Sequence, residues 1–454
     1  MGSRDDALAR SAAYRRGMAS ELSTWMRWAA LHGLPRAFLS FRARSGEPMA
    51  ALTLGRDDPA GRLRRIEEIR AAGSLVRTPA VLVSADHDIC RTVLRDNDFL
   101  VADPAETGLP EALARIVRRL DPELPNPVES PSMLMTDPPE HTGYRKLVSR
   151  SFTPRAIATL DARIDELTLE LLDGLDSRRE VDLIGDYAAQ VPAAVISDLL
   201  GVPAAERPRI LRWGNTIAPL LDIGITWPVF RGAIDELRDV ETYMREHFRR
   251  LRADGSDGTP FSTMALESGL PDRVLRANAA LLVGAGVETT VNLIGNGIVA
   301  LMRHPDQLAL LRDDPDLWPS AIEEMLRFDS PVQMTARQAG RDTEIAGVPI
   351  TRGTAVVLLL GGANRDPKVF DRPDRFDITR PNARDHLAFG SGIHVCLGAA
   401  LARNEAVTAL RALFDRYPDL QLRGAPEHRG LVNLNGYRRL TARLRYEAVT
   451  RTAS

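Results

Sequence analysis

The stretch "AFGSGIHVCLGAALAR", Ala388 to Arg403, holds one of only two cysteines in 454 residues. Gly390, Gly392 and Gly398 surround Cys396, and after it Leu397, Ala400, Leu401, Val407, Leu410 and Phe414 recur at helical spacing. Cys396 is therefore expected at or just before a helix N-terminus, where the macrodipole and free N–H groups stabilise an anion and lower a thiol pKa. Glycines without a Cβ permit a tight turn and let a flat, bulky group approach the backbone. The bland alternative, a small buried hydrophobe, is the commonest fate of a free cysteine and suits Cys90 in "DHDICRTVL". Around Cys396 the glycines weigh against it. A zinc site needs more soft or imidazole ligands, and none are spaced for it. A cysteine hydrolase needs a base and an oxyanion hole, and only His394 lies near. A thiolate ligand to a flat metal macrocycle accounts for both the sulfur and the missing side chains.

Three further groups could do chemistry. "GAGVETT", Gly284 to Thr290, lies inside an otherwise apolar helical run. Glycine there costs about 0.5–1 kcal/mol against alanine, and a carboxylate is expensive unless paired. The bland reading is a helix crossing at the glycine, with Glu288 in a salt bridge. Glu324 and Arg327 are three apart, a spacing that also occurs at Glu67/Arg70, Glu206/Arg209 and Glu246/Arg249 and is most often a surface ion pair. His141 and Arg145, in "DPPEHTGYRKLVSRSF", are four apart and share one helix face suited to carboxylates; Lys146 and Arg150 read equally well as a solvated basic face.

The elements that must hold these groups follow from pattern. Ala277 to Met302 carries one charge, Glu288, and reads as a buried central helix about 45–50 Å long, with Pro271 at its first turn and Pro305 at its end. Its length would also suit a bilayer, but its asparagines, threonines and glycines favour a protein interior. Strand-like pieces lie near Leu75 to Ser84, and a strand–turn–strand pattern covers Thr343 to Leu360. Helical patterns dominate from Thr142 to Phe328. The expected class is mainly α with a minor β part. Residues 1–56 read as a partly helical N-terminal extension and 57–454 as a single domain. In the extension, Glu21 to Arg44 is amphipathic and broken by Gly33 and Pro35; packing on its own domain is preferred over contact with a membrane surface. Lysine plus arginine number 59 against 61 aspartate plus glutamate, a balance that disfavours a polyanionic partner for the whole surface, nucleic acid and anionic lipid alike. Two cysteines make no disulfide framework, and no signal-peptide pattern is present, so a cytoplasmic location is expected.

Phe389, Gly390, Gly392, His394, Cys396, Gly398, Leu401, Ala402 and Arg403 together resemble the haem-binding loop of the cytochromes P-450. The order of the other motifs agrees. Glu324 and Arg327 follow the long helix and precede the loop, resembling the family's Glu-x-x-Arg pair. "NRDPKVFDRPDRFDITR", Asn364 to Arg380, resembles its meander, with Arg375 as third member of the structural cluster. Ala285, Gly286, Glu288, Thr289 and Thr290 resemble its oxygen-activating stretch.

The resemblance implies a helix-rich domain with small β-sheets around a buried haem b ligated by Cys396. Phe389, Gly390, Gly398, Ala285 and Gly286 would adjoin the haem, and His141, Arg145, Arg337 and His394 would contact its propionates. Thr289 and Glu288 would handle protons. Val283, Gly284, Val332, Met334, Val432 and Leu434 are candidates for the substrate pocket. The implied activity is insertion of one oxygen atom of dioxygen into a lipophilic small molecule, as hydroxylation or epoxidation. Electrons would come from a separate ferredoxin and ferredoxin reductase, met near Lys146 and Arg150. A peroxide-driven enzyme and a non-catalytic haem sensor or carrier are the alternatives; neither needs the Glu288/Thr289 pair.

Overall fold

The computed structural model describes residues 21–55, 58–102, 111–149, 152–255, 259, 266 and 269–444. Residues 1–20 and 56 of the extension lie outside it, as does Arg150.

The central helix runs Asp272–Arg303, capped by Pro271 and followed at once by a helix that begins at Pro305. It starts five residues earlier than its apolar pattern because Asp272, Arg273 and Arg276 bond outward: Arg276 Nε lies 2.7 Å from Glu241 and Arg252 Nη2 2.5 Å from Asp272. By composition the helix could cross a membrane, yet 72% of its most apolar stretch is buried within the protein. Two of its three asparagines are absorbed there: Asn278 Oδ1 accepts from Met133 N at 3.0 Å, and Asn296 Nδ2 donates to the carbonyls of Asp329 and Asn435.

Around it pack the helices Pro154–Leu175, Gln190–Leu200, Arg207–Ile217, Trp227–Asp254, Trp318–Phe328 and Ala399–Arg416, which share one apolar core. Beside this layer lies a five-stranded sheet of β1 (Val76–Arg77), β2 (Leu82–Ser84), β3 (Phe99–Val101), β4 (Thr335–Ala339) and β5 (Ala355–Leu358). Its order is β1-β2-β5-β4-β3, with only the β2/β5 pair parallel. The register sets Arg337 of β4 between Val101 and Val356. The hairpin expected between Thr343 and Leu360 forms as Thr343–Ile345 against Val348–Ile350.

The extension lies on the body. Met49 and Leu52 of helix Pro48–Thr53 join Ile66, Ile69, Val83, Ala85 and Leu359 in a second core beneath the sheet. Further out, Arg27 donates to Val117 O at 2.8 Å and contacts Glu129 at 2.5 Å; the Trp28 indole donates to Ile225 O at 2.9 Å.

Candidate active site

Cys396 lies three residues before the helix Ala399–Arg416, on a loop tied down by its own backbone. Its N–H donates to Phe389 O at 2.9 Å, and Asn364 Oδ1 accepts from Leu387 N at 2.6 Å. The glycines divide their work. Gly392, at φ +72°, sits where a Cβ would stand 2.2 Å from Leu94 O, so its bareness serves contact with the helix His87–Arg95. Around Gly390 and Gly398 a Cβ would meet no atom closer than 3.9 Å, which leaves open space beside the sulfur.

The Cys396 side chain is reachable by water, yet desolvation dominates its titration; a thiol lining a recess inside the protein has both properties. Burial pushes its pKa up, against the Gly398 N–H, Arg145 and Arg403. The depressed thiol expected from the helix terminus is thus corrected: desolvation outweighs these partial charges. A bound metal cation would reverse that balance.

Beneath the loop, Arg403 stacks 4.6 Å over Phe389 and grips Glu323 at 2.6 and 3.1 Å, while His386 approaches the same carboxylate at 3.2 Å. Burial alone would raise Glu323; His386 and Arg403 overcome it and hold the carboxyl at about 2. A carboxyl depressed on folding stabilises above its unfolded value of 4.5, and the contribution is lost as pH falls from there through about 2. Glu323→Gln should therefore cost about 2–3 kcal/mol at neutral pH, by urea denaturation, and the gap to wild type should shrink at pH about 3. A gap unchanged by acid would contradict this anchoring.

On the central helix, Ala285 is exposed between the half-buried Gly284 and Gly286, and Thr289 one turn later is partly open. The Thr289 hydroxyl donates back to Ala285 O at 2.7 Å. Val283, Val287 and Val291 form the buried stripe of the same helix, and Val287 lies 3.6 Å from where a Gly214 Cβ would be. Two expectations are corrected by this rotation. Val283 has no surface left to line a pocket. Gly286 turns its bare side to Ile196, whose side chain would stand 2.5 Å from a Cβ, so it serves a helix crossing rather than a cofactor face. Successive residues are about 100° apart, and within this stretch Ala285 alone is fully exposed, with Thr289 partly open one turn on.

Glu288 is buried, with Oε1 2.7 Å from Arg429 Nε but out of line for a hydrogen bond. Burial raises its pKa to about 7, against the pull of Arg429 and Asn292. The helix-crossing and salt-bridge readings of this stretch therefore describe Gly286 and Glu288, while Ala285 and Thr289 remain open. Sequence reading missed Glu405. It is buried on the helix that follows the cysteine, touches Thr290, and is pushed by desolvation to about 8. Its signal was present: Leu401, Glu405 and Ala409 share one apolar stripe.

His141, Arg145, Arg337 and His394 converge. The two imidazole centroids lie 4.1 Å apart with the rings tilted at 42°, and His394 Nε2 is buried without a hydrogen bond. The nearest carboxylate, Asp137, is 3.7 Å from that nitrogen and already accepts from Val101 N. Burial, then Arg337, His141 and Arg145, depress His394 to about 3, and burial with Arg145 lowers His141. Four cationic or titratable groups thus meet one carboxylate among the described residues, an arrangement that calls for an added anion. A dianionic macrocycle edge beside an open thiol fits this recess.

Glu324 and Arg327 have no exposed surface and pair through two hydrogen bonds of 2.7 and 2.9 Å. Arg327 also donates to the carbonyls of Asn364, Pro373 and Arg375. The third member is corrected. Arg380, not Arg375, reaches Glu324 at 3.1 Å; the Arg375 side chain is 52% exposed and contributes its carbonyl. The segment is irregular, so no periodicity distinguishes arginines five positions apart.

Of the pocket candidates, Val332 bridges Leu434, and Met334 N donates to Asn433 Oδ1 at 3.2 Å, so the strand β4 approach and the 432–434 tip do meet. Val432 and Leu434 are themselves buried; Val432 packs against Gly55, and Met334 leans on the second core. Gly284 is half-buried beside Pro127. Lys146 is exposed.

A sequence model of the family described as Cytochrome P450 matches residues 226–423. The putative cytochrome P450 140 of Mycobacterium bovis is 44% identical over 429 residues, covering 92% of this chain and 97% of that protein. The vitamin D(3) 25-hydroxylase of Pseudonocardia autotrophica is 44% identical over 301 residues, 64% of this chain and 72% of its own. Among solved structures, P450BioI in complex with acyl carrier protein ligated to hexadec-9Z-enoic acid superposes with a TM-score of 0.78 at 32% identity, over 84% of this chain and 98% of that one. Fold, cysteine loop and full-length similarity agree: the chain belongs to the cytochrome P450 family.

Proposed function

We propose that this haem monooxygenase places one oxygen atom of dioxygen into a lipophilic small molecule, by hydroxylation or epoxidation, in the cytoplasm, with electrons from a separate ferredoxin and its reductase. The observation that carries the reading is the pairing of an accessible Cys396 in a protein recess with an open Ala285/Thr289 stripe beside a carboxyl poised near 7. The cofactor, haem b, supplies dioxygen binding and redox chemistry when held by the Cys396 thiolate, whose electron donation favours O–O cleavage throughout this family.

The chain's own residues supply position and protons. Arg145 and Arg337, with His141 and His394, would hold the propionates of the bound haem. Thr289 presents a hydroxyl on the open stripe, held in place by its bond to Ala285 O. Glu288 is near half-protonated at neutral pH, so it can both give and accept a proton with little driving force wasted. Glu405, neutral at pH 7, can hold a proton next to Thr290 on the opposite side of the helix. The lipophilic substrate class is supported by the apolar candidates Val332 and Met334 and by relatives named for vitamin D(3) and for a hexadecenoic acyl group.

The test is a panel of lipophilic compounds titrated into the holoprotein, read first by displacement of the Soret band and then by turnover. Products carrying one oxygen from labelled dioxygen, formed only with ferredoxin, reductase and reduced nicotinamide, support the proposal. Products formed with hydrogen peroxide alone would favour the peroxide-driven reading, and tight ligand binding with no oxygen consumption would favour a carrier.

A further inference from the structure

Fifteen large hydrophobic side chains are exposed among the described residues, and six of them fall between residues 22 and 41. Leu22, Trp25 and Met26 share a side of the helix over residues 21–28, and Leu34, Phe38 and Phe41 a side of Leu34–Arg44. Their spacings, three and four then four and three, are those of a single helical stripe. Such a stripe ordinarily turns inward, but here the inward contacts are made by other residues. Arg27, Trp28, Ala30 and His32 face the body; Ala30 packs on Val117 and His32 lies 5.2 Å from Phe230.

Three more exposed residues, Ile116, Ile223 and Val229, lie on body segments that the extension contacts. Ile116 adjoins Val117 in the helix Glu111–Arg119. Ile223 adjoins Gly224, whose carbonyl accepts from Arg36 at 2.6 Å. Val229 lies two positions after Trp227, whose ring is tilted against Trp28 with centroids 5.9 Å apart. Glu21 to Arg231, at 3.2 Å, closes the border. Patches of this extent are rare on soluble monomers without a partner.

Charge identifies the partner. The first 46 residues carry eight arginines and three acids, whereas the whole chain has a net charge of −2; of the four arginines between residues 21 and 44, Arg27, Arg36 and Arg42 bond to Glu129, the Gly224 carbonyl and Glu47, and Arg44 is exposed. Arg44 is exposed in the last turn of Leu34–Arg44, three residues from the most exposed aromatic, Phe41 at 65%. Tryptophan, phenylalanine and leucine on one side with arginine at the margin is the composition of a helix that lies in a bilayer interface, and basic excess attracts anionic headgroups.

We infer that this two-helix segment and its apolar rim dock the protein on an anionic lipid surface. A second copy of the chain is the weaker fit, because two such segments would bring like charges together. The segment is bonded directly to residues 117–129 and 224–231, so docking would hold those body segments against the lipid. That last consequence, supply of substrate from the bilayer, rests on the lipophilic reading above; the docking itself does not.

The experiment uses full-length holoprotein and sedimentation with vesicles of phosphatidylcholine, with or without phosphatidylglycerol. Binding is expected to the mixed vesicles, with a blue shift of tryptophan emission, and to weaken at high salt. The double variant Phe38→Ser/Phe41→Ser should bind about tenfold more weakly and Arg44→Glu severalfold more weakly, with the haem spectrum and melting temperature kept. Absence of vesicle binding, binding unaffected by both variants, or a dimer in ultracentrifugation that Phe38→Ser/Phe41→Ser dissociates without any lipid affinity would each overturn the inference. No outcome depends on turnover, so failure here is distinct from failure of the proposed reaction.

Discussion

Glu324→Ala should destabilise the protein by about 3–5 kcal/mol, seen as a large fall in the urea midpoint of the holoprotein and loss of haem from much of the expressed chain. The change leaves Arg327, which has no exposed surface, and Arg380, which is nearly buried, without their shared carboxylate. It also removes the acceptor for Asp377 N, 2.9 Å away, and so frees the meander that backs the cysteine loop. Arg380→Ala should follow the same direction with a smaller effect. Arg375→Ala should change little, since that side chain is 52% exposed and its ion pair with Asp377 is a long 3.9 Å. Glu246→Ala, which breaks a pair of identical spacing exposed at 51% and 70%, should leave the midpoint where it is. If Arg375→Ala proved as damaging as Arg380→Ala, the assignment of the cluster would be wrong.

Thr289→Ala is expected to lower product formed per electron roughly tenfold, less than the about 10²–10⁴-fold that a positioned general acid contributes, because water in the opened space still delivers some protons. The substitution removes one hydroxyl and its bond to Ala285 O, and it touches neither Cys396 nor the cationic cluster. Haem binding and substrate-induced Soret shifts should persist. Dioxygen and electrons should still be consumed, and hydrogen peroxide should take the place of hydroxylated product. Glu288→Gln should instead slow turnover, because it removes a group poised at about 7 without altering the open stripe. Coupling equal to wild type in Thr289→Ala would remove Thr289 from proton handling and would revive the peroxide-driven and sensor readings.

What could be read from sequence was what is local or ordered along the chain. The cysteine loop is a contiguous pattern, and its glycines announce a turn. The long helix announces itself by a run from Ala277 to Met302 in which Glu288 is the lone charge. The Glu324/Arg327 pair was recognisable by its place between them, although spacing alone could not separate it from the exposed pair at Glu246/Arg249. Tertiary facts were not readable. The thiol pKa of Cys396 turned on burial, which the helix terminus does not encode. Gly286 looked like a cofactor glycine, but its direction depends on which neighbour helix it faces, and that neighbour presents Ile196. Arg380 replaced Arg375 in an aperiodic stretch where only the fold decides which guanidinium turns inward. Arg429, the partner of Glu288, stands far along the chain, and no pattern links them. Glu405 was legible and overlooked, since a carboxylate on the apolar stripe of a helix is itself a signal.

The central claim is that Cys396 is the haem ligand, and the carbon monoxide difference spectrum of the reduced protein tests it most directly. Wild type and Cys90→Ser, whose sulfur is buried and raised to about 12, should both give the red-shifted Soret band of thiolate ligation. Cys396→His should lose that band and show the shorter-wavelength band of imidazole ligation or no bound haem at all. A red-shifted thiolate band persisting in Cys396→His, or vanishing in Cys90→Ser, would contradict the account.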